Sequence, residues 1–106
     1  GEQPNYITSK KITGNVVNLD SYTEKNDFNG KILVIEQADP GYDWIFSHQI
    51  AGFITKYGGV ASHMAIRAAE FGLPAAIGCG ELIFKQLANA KVVELNCSTR
   101  QIHIIE

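Results

Sequence analysis

The sequence predicts one layered domain of the α/β or α+β class, with a β core and helices packed on it. The chain has 106 residues, of which 45% are apolar. Short β-branched runs alternate with segments of helical periodicity, and no internal repeat or low-complexity stretch interrupts them. A chain of this length can bury roughly 65% of the surface that its unfolded form exposes, so it needs no disulfide or metal to fold. The mixture of elements excludes a helical bundle and a pure β-sandwich.

Three strands are predicted in the first half of the chain, because short apolar or β-branched runs occur between turn-forming segments. They cover residues 12–17, 31–36 and 51–55. The polar segment 18–30 predicts a surface connection with one short turn of helix. The sequence Asp39-Pro40-Gly41 predicts a tight turn, and residues 42–50 predict a short helix after it.

A helix that begins with a histidine is the main feature of the second half. Ser62 is a natural N-cap and Gly72 a natural C-terminal stop, so a helix is predicted between them. The Gly58-Gly59 pair predicts a loop that delivers His63 to the start of this helix. The remaining predicted elements are a strand at residues 75–77, a helix at 81–88 and a hairpin formed by residues 91–95 and 101–105.

Composition and charge narrow the functional class. The chain carries 9 Lys and Arg residues against 11 Asp and Glu residues, a net charge of −2. Domains that follow a phosphate backbone usually have a basic face, so we expect no nucleic-acid partner. No apolar run approaches the roughly 18 residues of a membrane span. The first residues are too polar for a secretion signal, so we expect no membrane contact and a cytoplasmic location.

The cysteines and histidines do not form a metal-ligand pattern. Cys79 and Cys97 lack CxxC spacing, and His48, His63 and His103 are widely separated, so we expect no metal site. Two cysteines in a domain of this kind are usually reduced, which favours free thiols in a reducing cytoplasm. Cys79 lies between two glycines and is either a buried inert thiol or a reactive thiol near the site.

One polar stripe of the predicted helix could support phosphoryl chemistry. His63, Arg67 and Glu70 occur at positions i, i+4 and i+7, so they share one face, on which we expect His63 to be exposed. A neutral imidazole can accept a phosphoryl group on one ring nitrogen while a hydrogen bond to the other fixes the tautomer. The helix N-terminus favours an anion, and Arg67 can reach a phosphoryl oxygen. The same spacing also fits a solvated face with an Arg67–Glu70 ion pair.

Residues 58–78, GGVASHMAIRAAEFGLPAAIG, resemble the phosphohistidine signature of the phosphoenolpyruvate-utilising enzymes. This family includes pyruvate phosphate dikinase, phosphoenolpyruvate synthase and rifampin phosphotransferase. The resemblance extends from residue 31 to residue 106 and implies a swivelling β/β/α fold, a compact β core with helices packed on it. His63 matches the phosphorylated histidine. The match and the helix spacing together give a candidate phosphate environment of Gly58, Gly59, Ser62 and Arg67.

The chain departs from the family pattern at four positions. The family usually has Thr or Asn at Ala61, a small residue at Met64, an aliphatic residue at Arg67 and often Arg at Ala69. The missing hydroxyl at Ala61 removes a possible hydrogen bond, while Arg67 could replace the missing cation from another angle. Ser62 could supply a hydroxyl to the phosphate or act only as an N-cap.

A turn near the site also resembles the family. Asp39, Pro40, Gly41, Tyr42 and Trp44 match a family turn that is expected beside the histidine loop. These residues could equally serve only as aromatic packing under a turn.

The resemblance implies a phosphoryl carrier. Residues 1–106 would be one phosphohistidine swivelling domain, excised from a longer multidomain phosphotransferase, and this domain alone would not turn over. His63 would be loaded by an ATP-grasp nucleotide-binding domain or by phosphoenolpyruvate, and unloaded onto pyruvate or another acceptor. We expect no cofactor in this domain, with ATP and Mg²⁺ bound by the partner domain.

Two rival interpretations remain. One is a noncatalytic interaction module that retains the swivelling fold, favoured by Ala61 and Met64. The other is a hydrolase with His63 as general base, for which Ser62 is the only nearby nucleophile and is awkwardly placed next to His63 in the chain.

Overall fold

The structure, a computed structural model, describes residues 3–19 and 27–106. Within these ranges the strands are β1 (Asn5–Ile7), β2 (Lys11–Asn18), β3 (Ile32–Ile35), β4 (Gly52–Thr55), β5 (Ala75–Ile77), β6 (Val92–Asn96) and β7 (Gln101–Ile104). The helical elements are a 3-10 helix (Pro40–Ser47), α1 (His63–Phe71) and α2 (Gly80–Leu87). Every strand and helix predicted within these ranges is present. The segment 18–30, in which one short turn of helix is predicted, includes residues 20–26, which lie outside the described part of the chain.

The strands form one curled mixed sheet in the order β1-β5-β4-β3-β2-β6-β7. Strands β2, β3, β4 and β5 pair in parallel, whereas β1 joins β5, and β6 joins β2 and β7, in antiparallel fashion. All residues of β3, β4 and β5 are buried. Parallel strands covered on both faces are usually continuous apolar runs, which is the pattern that predicted them.

Strand β2 belongs to both halves of the sheet. Residues 11–15 pair antiparallel with β6, and residues 16–18 pair parallel with β3. The change of partner midway along β2 joins the antiparallel half to the parallel half, and the predicted terminal hairpin of β6 and β7 is confirmed at the far edge.

Each face of the sheet has its own hydrophobic core. On one face, α1 and the 3-10 helix pack through Met64, Ala65, Ala68 and Ile45 against alternate residues of the central strands. On the other face, the side chain of Leu87 from α2 packs with residues of β3, β4 and β6. The expectation of an α/β domain with a compact β core covered by helices is confirmed. Within the described ranges, no helix combines the length and the apolar character needed to cross a membrane.

The ends of α1 follow the predicted capping pattern. Ser62 is the N-cap, and its side chain accepts a hydrogen bond from the Ala65 N–H. Gly72 adopts the left-handed conformation, with φ 65° and ψ 29°, and ends the helix. Because the two caps fix where α1 begins and ends, His63 is its first residue.

Candidate functional site

The loop that leads to His63 depends on Gly58. Its φ is +120°, and a Cβ added there would lie 2.5 Å from Ala38 Cβ and 3.2 Å from Ile77 Cγ2. Gly59 has open space around it, with no heavy atom within 4 Å of an added Cβ. Gly58 is therefore required for the close passage of the chain against its neighbours, whereas Gly59 leaves the surface beside the histidine uncrowded.

Ser62 holds the loop and the helix start together. Its Oγ donates to the Gly59 carbonyl oxygen at 2.7 Å and accepts from the Ala65 N–H at 3.4 Å. The interpretation of Ser62 as an N-cap is confirmed, while a hydroxyl contact to phosphate stays a prediction. The N–H of Met64 donates to the Ala38 carbonyl oxygen at 3.4 Å. The N–H groups of Met64 and Ala65 thus already have partners, and the expected anion at this helix end must rely more on side chains.

His63 is bonded to an acidic residue from the 3-10 helix. Its Nε2 lies 2.7 Å from Asp43 Oδ1, and the two side chains are 36% and 43% exposed. The histidine, which was expected to be exposed, is therefore half-buried. The hydrogen bond from His63, assisted by Arg67, holds the pKa of the Asp43 carboxyl below its ordinary value. The carboxylate is ionised near neutral pH, so it accepts this hydrogen bond and Nε2–H is the donor.

Arg67 reaches the same carboxylate oxygen from one turn further along α1. Its Nε donates to Asp43 Oδ1 at 3.1 Å, and its Nη1 donates to Glu70 Oε1 at 3.0 Å. The guanidinium also lies over the rings of Phe46 and Phe71. The hydrogen bond to Glu70, followed by that to Asp43, raises the pKa of Arg67. The expected shared face of His63 and Arg67 is confirmed, and so is the Arg67–Glu70 ion pair.

Comparison with known protein families finds a match for the part of the chain that contains this site. The family model described as "PEP-utilising enzyme, mobile domain" matches residues 28–100, which include the 3-10 helix, the glycine loop and α1. The chain belongs to this mobile-domain family of PEP-utilising enzymes.

Proteins of several bacteria are similar to this chain over 65–73% of its length. A phosphoenolpyruvate synthase of Neisseria meningitidis is 35% identical over 69 residues, which are 65% of this chain and 8% of that enzyme. A rifampicin phosphotransferase of Bacillus cereus is 35% identical over 72 residues, 68% of this chain and 8% of that enzyme. An uncharacterised protein of Mycobacterium tuberculosis is 38% identical over 78 residues, 73% of this chain and 9% of that protein. The chain thus spans about a tenth of the length of the curated relatives it matches.

A solved structure shares the whole fold. The solution NMR structure of a UPF0107 protein superposes with a TM-score of 0.72 and covers 99% of this chain and 98% of that chain. The sequence identity is 16%, so this similarity concerns the fold alone.

The departures of this PEP-utilising mobile domain from the family signature have different structural consequences. Met64 is fully buried in the core beneath α1, so its larger side chain fills the core and does not border the His63 surface. Ala61 and Ala69 are exposed, and neither supplies a polar side-chain atom. Arg67 provides a cation within contact distance of the residue that holds His63. Among the four departures, only Met64 is explained by packing in the core.

Asp43 was missed by the sequence analysis, although the turn that precedes it was recognised. Asp39 caps the 3-10 helix by accepting from the Gly41 N–H at 2.9 Å. Trp44 packs against Phe28 and His48, with ring centroids 5.6 Å and 5.7 Å apart, so this side chain takes part in aromatic packing. Asp43 could have been identified from the sequence as an acidic residue beside the aromatic residues of a turn expected near the histidine loop.

The cysteines belong to the hydrophobic core on the face of the sheet opposite to α1, which carries His63 and Arg67. Both are buried free thiols, and burial raises the pKa of Cys79 to about 11. A thiol with such a pKa is protonated at neutral pH, which favours the inert interpretation of Cys79. In the described part of the chain, no three His, Cys, Asp or Glu side chains are grouped so as to hold a metal ion.

A separate groove of about 910 Å³ lies beside α2, between β1 and β7. Lys56, Arg100 and His103 contribute polar groups to its lining, and Tyr57 and Leu82 contribute apolar surface. The side chains of His63, Asp43 and Arg67 do not line it. The groove is therefore distinct from the cluster formed by these three side chains.

Proposed function

We propose that this domain is a phosphoryl carrier that holds the phosphoryl group on His63. The observation that carries the proposal is the convergence of His63 Nε2 and Arg67 Nε on one anionic oxygen, at 2.7 Å and 3.1 Å from Asp43 Oδ1. A histidine ring and a guanidinium that already share an oxygen are arranged to share an oxygen of a phosphoryl group. Membership of the PEP-utilising family supports this assignment.

The transfer chemistry needs only the imidazole as nucleophile. A ring nitrogen with a free lone pair attacks the phosphorus atom of the donor, and a P–N bond forms. The bond from phosphorus to the leaving oxygen of the donor breaks, and its electron pair departs with that oxygen. Unloading reverses these steps with the oxygen of an acceptor as nucleophile. Arg67 and the positive end of α1 stabilise the added negative charge, and Gly59 leaves space for the donor.

The wider reaction is proposed by resemblance to the multidomain relatives. We propose that residues 1–106 are the phosphohistidine domain of a dikinase- or synthase-type phosphotransferase in the cytoplasm. An ATP-grasp domain binding ATP and Mg²⁺, or phosphoenolpyruvate itself, loads His63, and pyruvate or another acceptor receives the group. Because this domain supplies the carrier and not the donor or acceptor sites, it is not expected to turn over alone.

The test is whether His63 forms an acid-labile phosphoryl adduct. The full-length chain is incubated with ATP and Mg²⁺ or with phosphoenolpyruvate, and residues 1–106 are incubated with phosphoramidate, a chemical donor whose P–N bond breaks to release ammonia. Intact-mass measurement should show one added phosphoryl group that survives alkali and is lost in acid. His63→Ala should abolish the adduct, and the matched variant His103→Ala, which changes an exposed histidine on β7, should retain it.

Three outcomes would contradict the assignment. An acid-stable adduct would indicate an ester on a hydroxyl such as Ser62. An acid-labile adduct that persists in His63→Ala would place the phosphoryl group on another histidine. Absence of an adduct with every donor would favour the noncatalytic interaction module, for which the exposed Ala61 is the remaining support.

A further inference from the structure

We propose that Asp43 blocks phosphorylation of the unloaded histidine, because its Oδ1 occupies the position that a phosphoryl oxygen takes when His63 Nε2 is phosphorylated. Asp43 must therefore leave His63 each time the domain is loaded, and it returns when the domain is unloaded. This inference rests on the carrier function proposed above and assigns a regulatory role to a residue at the same site.

The distances support the exchange of one oxygen for another. The 2.7 Å between Nε2 and Oδ1 is close to the separation between a nitrogen and the oxygens of a phosphoryl group bonded to it. Arg67 Nε contacts the same oxygen at 3.1 Å. If a phosphoryl oxygen replaces Oδ1, Arg67 keeps its contact without moving, and a charge-assisted hydrogen bond to the phosphoryl group replaces the one to the carboxylate.

The charges require that the two anions do not occupy the site together. Arg67 already faces two carboxylates, Asp43 and Glu70, so the unloaded cluster has more negative than positive charge when His63 is neutral. A phosphoryl group adds between one and two further negative charges, roughly. Asp43 Oδ1 would then contact a second anion at hydrogen-bond distance, with only one guanidinium between them, and like charges at such a distance repel.

The proton on His63 Nε2 is the means by which Asp43 blocks nucleophilic attack by this nitrogen. An ionised carboxylate can only accept a hydrogen bond, so the bonded Nε2 carries a proton and has no lone pair for attack. When Asp43 leaves, the Nε2 proton passes to water and Nδ1 takes a proton from water. The Nε2 lone pair then attacks phosphorus, the P–N bond forms, and the bond to the leaving group breaks with its electron pair. The proton count of the neutral imidazole is unchanged by the exchange of tautomers.

The fold lets Asp43 move without disturbing the core. Its side chain is 43% exposed, and it lies on the 3-10 helix, in which Ile45 is the buried residue. The hydrogen bond from Gly41 to Asp39 and the burial of Ile45 hold this helix independently of Asp43. Rotation of the Asp43 side chain toward solvent therefore releases His63 while the backbone stays in place.

The experiment compares wild type with Asp43→Ala, Asp43→Asn and the matched charge control Glu94→Gln. Glu94 lies on β6, where it pairs with Lys11, so its loss removes the same charge away from His63. Each protein is loaded with phosphoramidate, and the rate and final extent of phosphorylation are followed by intact mass. Nitrogen NMR of the imidazole reports the tautomer before loading and the phosphorylated nitrogen afterwards, and thermal melting checks that each variant is folded.

The wild type should carry its imidazole proton on Nε2 before loading and its phosphoryl group on Nε2 afterwards. Asp43→Ala should lose the preference for the Nε2 proton and load roughly fivefold faster, the effect of one like charge at contact distance with aqueous screening. Asp43→Asn, which keeps the shape without the charge, should also load faster, and Glu94→Gln should match wild type.

The blocking role of Asp43 would be overturned if wild-type His63 were phosphorylated on Nδ1. It would also be overturned if folded Asp43→Ala and Asp43→Asn loaded at or below the wild-type rate. Either result would leave the carrier function intact. Failure of wild type and every variant to form a His63 adduct, here and in the full-length chain, would overturn the carrier function itself.

Discussion

The guanidinium of Arg67 lies over the Phe71 ring, with 4.8 Å between its central carbon and the ring centroid. Phe71 in turn stacks on Phe46, with ring centroids 5.2 Å apart and 15° between the ring planes. Arg67 is therefore held by an aromatic surface as well as by two carboxylates. Such an arrangement restrains a long side chain before any ligand arrives, which lowers the entropy lost when it contacts a phosphoryl group.

Replacement of Arg67 by leucine should slow the loading of His63 without unfolding the domain. Leucine keeps apolar contact with the two rings but removes the donor that faces Asp43 and the incoming phosphoryl group. We expect loading by phosphoramidate to slow by roughly tenfold, because one charge-assisted hydrogen bond to the phosphoryl group is lost. Arg67→Lys should give an intermediate rate, because an ammonium keeps the charge but not the planar geometry.

Melting temperature separates this effect from damage to the fold. The ion pairs of Arg67 are partly exposed and screened by solvent, so their loss should change the melting temperature little. An unchanged loading rate in folded Arg67→Leu would return Arg67 to the role of a surface ion-pair residue.

The glycine pair offers a matched comparison of two neighbouring positions. Gly58→Ala should destabilise the domain by about 1–3 kcal/mol, because its φ of +120° is strained for any residue with a Cβ. The added Cβ would also overlap Ala38. Gly59→Ala has open space and should change the free energy of unfolding by less than about 1 kcal/mol. Chemical denaturation of both variants measures the difference, and equal stability of the two would contradict the proposed requirement at Gly58.

Local sequence signals predicted the parts of the fold that local chemistry determines. Strand β3 is a continuous apolar run, as expected for a strand that is buried on both faces. The limits of α1 follow from Ser62 and Gly72, whose capping roles act within a few residues. By contrast, β1 was not predicted, because it contains the polar residue Asn5 and its register depends on antiparallel pairing with β5, whereas the equally short β5 is a continuous apolar run. No periodicity can develop over such a short strand.

The same distinction applies to the candidate site. His63 and Arg67 lie one turn apart on a single helix, so their shared face follows from helical geometry. Asp43 is 20 residues from His63 in the chain and reaches it only because the 3-10 helix packs against α1 on the same face of the sheet. The residue that holds the histidine is thus a product of tertiary packing, which spacing within one helix cannot reveal.

Loss of the Ser62 hydroxyl should loosen the start of α1. Ser62→Ala removes both the acceptor for the Ala65 N–H and the donor to the Gly59 carbonyl, and should cost about 1 kcal/mol of stability. Ser62→Thr keeps the hydroxyl and should retain most of that stability. Denaturation measures the cost. If Ser62 serves only as a cap, loading of folded Ser62→Ala by phosphoramidate should stay within about twofold of wild type, whereas a larger loss would indicate a contact between the hydroxyl and the phosphoryl group.

Burial of the Cys79 thiol should make the stability of the domain fall in alkaline solution. Burial raises the pKa of Cys79 from 9.0 to about 11, so the folded state holds this proton at pH values where the unfolded state has lost it. The contribution of the Cys79 thiol to the free energy of unfolding is fully present below about pH 9 and is lost as the pH rises through about 11. The change should amount to roughly 1–3 kcal/mol. Burial also raises the pKa values of Tyr6 and Cys97, and these groups add to the decline in the same direction.

Denaturation of wild type and Cys79→Ala between pH 7 and about pH 11 measures the contribution of this thiol. The variant should lose less stability than wild type over that range, because it lacks the Cys79 thiol, which ionises in the unfolded chain. A second measurement follows from the same pKa: since the thiolate is the reactive form, iodoacetamide should label the cysteines of the folded domain at pH 8 much more slowly than those of the denatured chain. Rapid labelling of Cys79 in the folded domain, or equal pH dependence in the two proteins, would show that the thiol is more accessible to solvent than its 4% exposed surface indicates.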